Sequence, residues 1–170
     1  PAGTLGRLGT ATALAIVGAD VGLAAKRASA VAIAEALVAG LAGDSGKTLV
    51  SLGLARALAD RGLRVRPFKK GPDYIDSAWL GAAARATCRN LDTFLMSDEA
   101  MAASLATAVS DADLILVEGN RGLFDGVDVE GSHSTAMLAR RVAAPVVLVL
   151  DCTKMTRTAA ALVMGCRALD

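Results

Sequence analysis

The sequence predicts an α/β fold in which helices cover both faces of a doubly wound, mostly parallel sheet. Short apolar runs alternate with longer segments of helical periodicity, as expected when the strands are buried on both faces. Each predicted strand is followed by polar or glycine-rich residues, and ligands of such sheets bind at these carboxyl ends. A length of 170 residues suits one domain of this kind.

The composition excludes several classes of protein. With 54% hydrophobic residues the chain is too apolar to be disordered. A net charge of +1 and only 3% aromatic residues argue against a nucleic-acid partner. Cys88, Cys152 and Cys166 show no CxxC spacing, so we expect reduced thiols rather than a zinc site or disulfides.

The N-terminal residues 1–29 are left as an unassigned extension, either an extra helix or a loose segment. Their apolar stretch at residues 11–25 is interrupted by Asp20 and has no basic region before it. We therefore expect neither a membrane span nor a secretory signal, and a cytoplasmic protein. The domain itself is predicted to occupy residues 30–170.

The first predicted strand, residues 31–38, is apolar apart from Glu35. The helix that follows, residues 47–60, carries leucines at near-helical spacing and ends before Gly62. A second apolar run at residues 63–68 predicts the next strand.

In the second half of the chain, Ser97 and the acidic residues after it predict the start of a helix that runs to residue 109. Residues 114–117 and the valine-rich residues 146–150 predict two further strands. Between and after these strands lie predicted helices at residues 134–142 and 156–168.

Residues 40–48, GLAGDSGKT, lie between a predicted strand and a predicted helix, as a phosphate-binding loop does. Lys47 would reach the β- and γ-phosphates of ATP, and the Thr48 hydroxyl would bind Mg²⁺. Leu41 stands where the common pattern has its first glycine, so the loop is a longer variant of the P-loop NTPase type. The candidate nucleotide-binding residues are Gly40, Gly43, Asp44, Ser45, Gly46, Lys47 and Thr48.

Two other loops carry charged residues at predicted strand ends. The lysines of FKKGPDYID, residues 68–76, can neutralise phosphate charge, while Asp73 and Asp76 could share a metal ion or orient a substrate. Glu118 follows the third predicted strand, where the second acidic Mg²⁺ partner of P-loop enzymes commonly lies. The glycines after it predict a flexible loop that could close over a ligand.

Six motifs together resemble the cobyrinate a,c-diamide synthase family, in its N-terminal, dethiobiotin-synthetase-like ATPase domain. They are the loop at 40–48, PFKKGPDYID (67–76), NLDTFLM (90–96), EGNRGLFDG (118–126), GSHSTAMLA (131–139) and APVVLVLD (144–151). The resemblance implies a carbon–nitrogen ligase of cobalamin biosynthesis that requires ATP and Mg²⁺. It would convert the a- and c-acetates of cobyrinate, a tetrapyrrole, to amides through acyl phosphates, with ammonia derived from glutamine.

The resemblance also implies roles for individual residues. The residues implied in catalysis are Lys47, Lys69, Asp76 and Asp125. The implied metal ligands are Thr48, Asp73 and Glu118. The implied substrate-binding residues are Asp73, Tyr74, Asp76, Asp92, Asp125, Ser134 and Thr135. Ser134 is equally well explained as a helix N-cap. We expect Tyr74 and Trp79 to pack near the pocket and His133 to be structural or exposed, while Lys154 and Arg157 either meet the ligands or are solvated.

Members of this family continue with a glutamine amidotransferase domain, whose G-x-C-x-G nucleophile motif does not occur here. We therefore expect a partial domain with an incomplete sheet, which lacks its glutaminase partner and depends on free ammonium. Hydrogenobyrinate and nickel-sirohydrochlorin stay open as alternative substrates, and a homodimer stays open as well. A regulatory ATPase of the partitioning type is disfavoured because Ala42 stands where those proteins carry a signature lysine.

Overall fold

The computed structural model describes residues 7–8, 12–17 and 34–169. Within these ranges, seven strands form one sheet in the order β1-β2-β7-β3-β6-β4-β5. The strands are β1 (Arg7–Leu8), β2 (Thr12–Val17), β3 (Ala34–Gly40), β4 (Val65–Lys70), β5 (Arg89–Leu91), β6 (Leu114–Gly122) and β7 (Val146–Asp151). The helices are α1 (Lys47–Asp60), α2 (Ile75–Ala84), α3 (Asp98–Val109), α4 (Thr135–Val142) and α5 (Thr158–Leu169).

The central part of the sheet is parallel, as predicted. Strands β7, β3, β6, β4 and β5 pair in parallel, whereas β2 runs antiparallel to β7 and β1 antiparallel to β2. The expectation of an extra helix or loose segment within residues 1–29 is wrong for the part described, which contributes two strands. Without β2, strand β7 would be an edge strand, and the apolar run TALAIV pairs with its backbone groups on that side.

Helices cover both faces of the sheet, which confirms the doubly wound arrangement. Successive residues of one strand point to opposite faces, so Leu37 and Ala39 join one core cluster while Val38 joins the other. The first cluster contains Met101 of α3 and the second contains Ala55 of α1. Burial on both faces explains why β3 and β7 carry runs of successive apolar residues.

Three further elements differ from the prediction. Strand β6 continues to Gly122, five residues beyond the predicted end, because β3 pairs with it as far as Gly122 and β4 as far as Glu118. Helix α2 and strand β5 were not predicted. Helix α2 ends at Arg85 in a left-handed conformation (φ 54°), where glycine would be the usual signal, and β5 is short and begins with two polar residues.

Most of the other boundaries agree with the prediction within two residues. Helix α1 has the predicted bounds, and Ser97 and Ser134 are the N-caps of α3 and α4. The beginning of the first predicted strand, residues 31–33, lies outside the described residues. None of the helices in the described ranges is long and apolar enough to cross a membrane.

Candidate active site

The phosphate loop connects the end of β3 to the start of α1. Asp44 and Gly46 have left-handed backbone conformations, with φ values of 54° and 88°. A Cβ atom added at Gly40 would lie 2.0 Å from the Ser45 hydroxyl oxygen, because the loop folds back over the strand end. A side chain at position 40 would therefore require the Ser45 side chain to move.

Lys47 is the first residue of α1 and arches back over the loop. Its ammonium donates a hydrogen bond to the Ala42 carbonyl oxygen at 2.9 Å, and the residue is only 8% exposed. Burial and the nearby Lys69 lower the pKa of Lys47, and the carboxylates of Glu118, Asp44 and Asp76 oppose this shift in part. Two lysines are thus held close together where phosphate groups would bind.

Glu118 connects the phosphate loop to strand β4. Its Oε1 atom accepts hydrogen bonds from the Thr48 hydroxyl at 2.7 Å and from the Lys69 ammonium at 2.8 Å. The side chain is fully buried because β6 lies in the middle of the sheet, with Glu118 paired to Val38 on one side and Lys69 on the other. Its second oxygen, Oε2, is buried and has no hydrogen-bond partner among the described residues.

Lys69 is bound by two carboxylates. Its ammonium lies 2.8 Å from both Glu118 and Asp76 and also donates to the Gly119 carbonyl oxygen at 3.3 Å. Burial by itself lowers the pKa of Lys69, but the hydrogen bonds to Asp76 and Glu118 outweigh it, so that the pKa is raised. The lysine therefore keeps its charge, and residues of β4, β6 and α2 meet at one point.

The two aspartates of the loop after β4 have different positions. Asp76 contacts Lys69, whereas the Asp73 carboxylate accepts a hydrogen bond from the Asp76 backbone N–H at 3.0 Å. The Ser77 hydroxyl donates to the Asp73 carbonyl oxygen, which also fastens the start of α2. The structure therefore brings Asp76 to Lys69, which also contacts Glu118, whereas the Asp73 carboxylate is bound to the start of α2. The metal and substrate roles of Asp73 stay predictions.

Asp92 and Asp125 shape the loops on which they lie. Asp92 Oδ1 accepts hydrogen bonds from the backbone N–H groups of Phe94 and Leu95, at 2.7 and 3.1 Å. Asp125 Oδ2 accepts one from the Gly122 N–H at 3.2 Å. Their predicted contacts with substrate or intermediates stay predictions.

Ser134 and Thr135 are buried at the start of α4. The Ser134 hydroxyl accepts a hydrogen bond from the Met137 N–H at 3.3 Å, as a helix N-cap does. The Thr135 hydroxyl donates to the Asn120 carbonyl oxygen at 3.0 Å. Both hydroxyls are thus engaged with the backbone, and their binding of substrate carboxylates stays a prediction.

The aromatic side chains near the loop after β4 are not packed as predicted. Tyr74 is 80% exposed and Trp79 is 62% exposed, since no element of the described chain covers this side of α2. His133 is structural, as predicted: its Nδ1 atom lies 3.1 Å from the Thr93 hydroxyl, and its ring meets Phe94 edge-on. Lys154 and Arg157 are exposed.

The sequence prediction assigned no separate role to Lys70 and did not select Asn120. The Lys70 ammonium donates a hydrogen bond to Asn120 Oδ1 at 2.9 Å, and Lys70 is 6% exposed. Two adjacent lysines look alike in the sequence, and nothing in their spacing indicates that Lys69 has two carboxylate partners and Lys70 an amide.

Comparisons with known proteins show which proteins this chain is similar to. The sequence profile of the CobQ/CobB/MinD/ParA nucleotide binding domain family matches residues 36–169. Cobyrinate a,c-diamide synthase of Magnetococcus marinus is 52% identical over 122 residues, which cover 72% of this chain and 26% of that protein. The enzymes of the same name from Syntrophotalea carbinolica and Salmonella typhimurium are 44% and 40% identical, each over 79% of this chain and 29% of the relative. The chain thus spans less than a third of the length of these curated relatives.

Proposed function

This chain belongs to the CobQ/CobB/MinD/ParA nucleotide-binding domain family, and on that basis we propose that it performs the ATP-dependent step of cobyrinate a,c-diamide synthesis. ATP would phosphorylate the a- and c-acetate carboxylates, and ammonia would then displace phosphate from each acyl phosphate. The activation is needed because ammonia cannot displace oxide from a carboxylate. In the intact enzyme a glutamine amidotransferase domain would supply the ammonia.

The observation that carries this proposal is the single Glu118 oxygen that joins Thr48 of the phosphate loop to Lys69 of β4. Phosphoryl transfer requires positioning and charge neutralisation more than covalent participation by the protein. Lys47 would exchange the Ala42 carbonyl for the β- and γ-phosphates. Lys69, held by Asp76 and Glu118, would face the transferred phosphoryl group.

The residues present also fit a Mg²⁺ ion. The buried, unpartnered Oε2 atom of Glu118 and the adjacent Thr48 hydroxyl are oxygen donors of the kind that Mg²⁺ prefers. Among residues 34–169 no group of three or more His, Cys, Asp or Glu side chains is placed to hold a metal. The protein would therefore supply few ligands and leave the rest to water and phosphate, as Mg²⁺ sites with nucleotides do. The ion would neutralise phosphate charge.

The test is to follow ADP release with ammonium as nitrogen donor and with cobyrinate, hydrogenobyrinate or nickel-sirohydrochlorin as acceptor. We expect release that depends on cobyrinate, its loss in Lys47→Met, and its retention in Arg61→Met, which removes an exposed charge at the far end of α1. Release with another tetrapyrrole alone would assign the domain to that substrate. ATP-driven dimerisation without tetrapyrrole-dependent ADP release would favour a regulatory switch and contradict the proposal.

A further inference from the structure

Lys70 is a buried cation whose surroundings differ from those of Lys69. It is 6% exposed, and within the described part of the chain its ammonium makes one hydrogen bond, to the neutral Asn120 side chain. No carboxylate within residues 34–169 lies at ion-pair distance from it, whereas Lys69 beside it contacts two. Buried charges are normally paired. Because an ammonium carries three donors, two of those of Lys70 are left for a ligand.

The position of Lys70 is fixed by its neighbours. Asn120 is held through its backbone, since the Thr135 hydroxyl donates to its carbonyl oxygen and accepts from its N–H. Burial lowers the pKa of Lys70, Asp92 opposes this shift, and Arg121 and Lys69 add to it. The charge is therefore costly in the unliganded protein, and an anion beside the ammonium would relieve that cost.

Lys70 lines a cleft of about 350 Å³ between the loop after β4 and the end of β6. Asn120 and Asp73 continue its polar side, with the Asp73 carboxylate accepting a hydrogen bond from the Asp76 N–H, and Pro72, Tyr74 and Ile75 supply apolar surface. Tyr74 and Ile75 are 80% and 55% exposed, so the apolar surface continues outward. A cleft with a cation at one side and apolar groups at the other fits a carboxylate on a hydrocarbon framework.

We propose that Lys70, positioned by Asn120, binds a carboxylate side chain of the tetrapyrrole and so helps to determine which substrate the domain accepts. This assignment rests on the function proposed above. Lys70 would be separate in role from Lys47 and Lys69, which face the nucleotide. A phosphate of the nucleotide has the same oxyanion chemistry, so the test has to measure the two ligands separately.

The experiment titrates the protein with cobyrinate, in the presence of Mg²⁺ and a non-hydrolysable ATP analogue, and measures the dissociation constants of both ligands. Lys70→Met removes the charge, and Asn120→Asp keeps the lysine but places a competing carboxylate on it. We expect both variants to raise the Kd for cobyrinate about 10- to 100-fold, the range for a lost charged hydrogen bond. The Kd for the nucleotide should stay within about twofold, and Arg61→Met should change neither constant.

The outcomes separate this assignment from the proposed function. If the unaltered protein binds no tetrapyrrole, the proposed function fails and the role of Lys70 fails with it. If it binds cobyrinate and both variants bind equally well, only the role of Lys70 is overturned. A rise confined to the Kd for the nucleotide would show that the Lys70 ammonium binds phosphate, and it would contradict the binding of a tetrapyrrole carboxylate by Lys70. Should Lys70→Met fail to fold, Asn120→Asp decides the question.

Discussion

Thr48 of the phosphate loop donates its hydroxyl to Glu118 across a separation of seventy residues, with 2.7 Å between the oxygens. The contact is possible because β3 and β6 are adjacent parallel strands whose carboxyl ends lie at the same edge of the sheet. Glu118 extends the contact to Lys69 on the other side. The phosphate loop is thus coupled to the loop after β4 through one carboxylate.

This coupling predicts that Thr48→Val and Glu118→Gln act on the same step. Each change should lower tetrapyrrole-dependent ADP formation about 10²-fold or more, because each removes an oxygen that would bind Mg²⁺ or a charge that holds Lys69. The double variant should be little worse than the more severe single one, since residues that act as a unit are not additive. Steady-state kinetics of the three variants measure this. Glu99→Gln, an exposed change on α3, is the control, and fully multiplicative losses would contradict the coupling.

The burial of Lys70 predicts a specific pH dependence of stability. Its pKa is lowered in the folded state, so between that value and the unfolded value of about 10.4 the unfolded chain holds more protons. The free energy of unfolding of the unaltered protein should therefore rise with pH in this window relative to Lys70→Met. Lys47 and Lys69 titrate in both proteins and largely cancel in the difference.

Urea denaturation between pH 7.5 and 10.5 measures this difference. Lys70→Arg is the matched control, because arginine does not lose its proton in this range and should show no such rise. A difference in unfolding free energy that stays constant with pH would contradict a lowered pKa at Lys70.

Gly119 is predicted to tolerate no side chain. A Cβ atom there would lie 2.5 Å from Thr135 Cγ2 and 3.2 Å from the Val38 carbonyl oxygen. Gly119→Ala should lower the free energy of unfolding by about 1–3 kcal/mol, as overpacking does. Thr135→Ser should restore part of this loss, because it removes the nearest methyl group. Gly53→Ala, in open space within α1, should instead stabilise by about 0.5–1 kcal/mol. Thermal and urea denaturation compare the variants, and equal effects at the two glycines would refute the steric argument.

The N-cap at Ser134 allows its structural and substrate roles to be separated. Ser134→Ala should lower stability by about 1 kcal/mol, because the Met137 N–H loses its acceptor. Ser97→Ala, at the exposed N-cap of α3, should cost a similar amount and serves as the matched control. Stability and the KM for cobyrinate are measured for both. If the Ser134 hydroxyl is only a helix cap, the KM for cobyrinate stays unchanged in both variants. A rise in KM for Ser134→Ala alone would indicate that this hydroxyl also contacts the substrate.

Much of the site could be predicted from the sequence because local chemistry reveals it. The glycines around Lys47 and Thr48, with an apolar strand before them and a helix after them, are sufficient to identify a phosphate loop. The acid at Glu118 was predicted from its position after an apolar run. The pattern at Ser97 and Ser134 likewise located two helix starts.

The partners of these residues could not be predicted, because strand order and register decide them. The sequence does not show that β6 lies between β3 and β4, and therefore that Glu118 reaches both Thr48 and Lys69. Nor does the spacing of Asp73 and Asp76 reveal which of them contacts Lys69 and which begins a helix.

The sequence by itself determined the fold class, the phosphate loop and the charged residues at the strand ends, since periodicity and glycine spacing are local properties. Only the tertiary structure decided that Lys69 is paired with two carboxylates, whereas Lys70 donates a hydrogen bond to an amide and lines a cleft. The physical reason is that the environment of a buried charge depends on groups brought to it from distant parts of the chain. Adjacent and identical residues can therefore differ in pKa and in the ligand they suit.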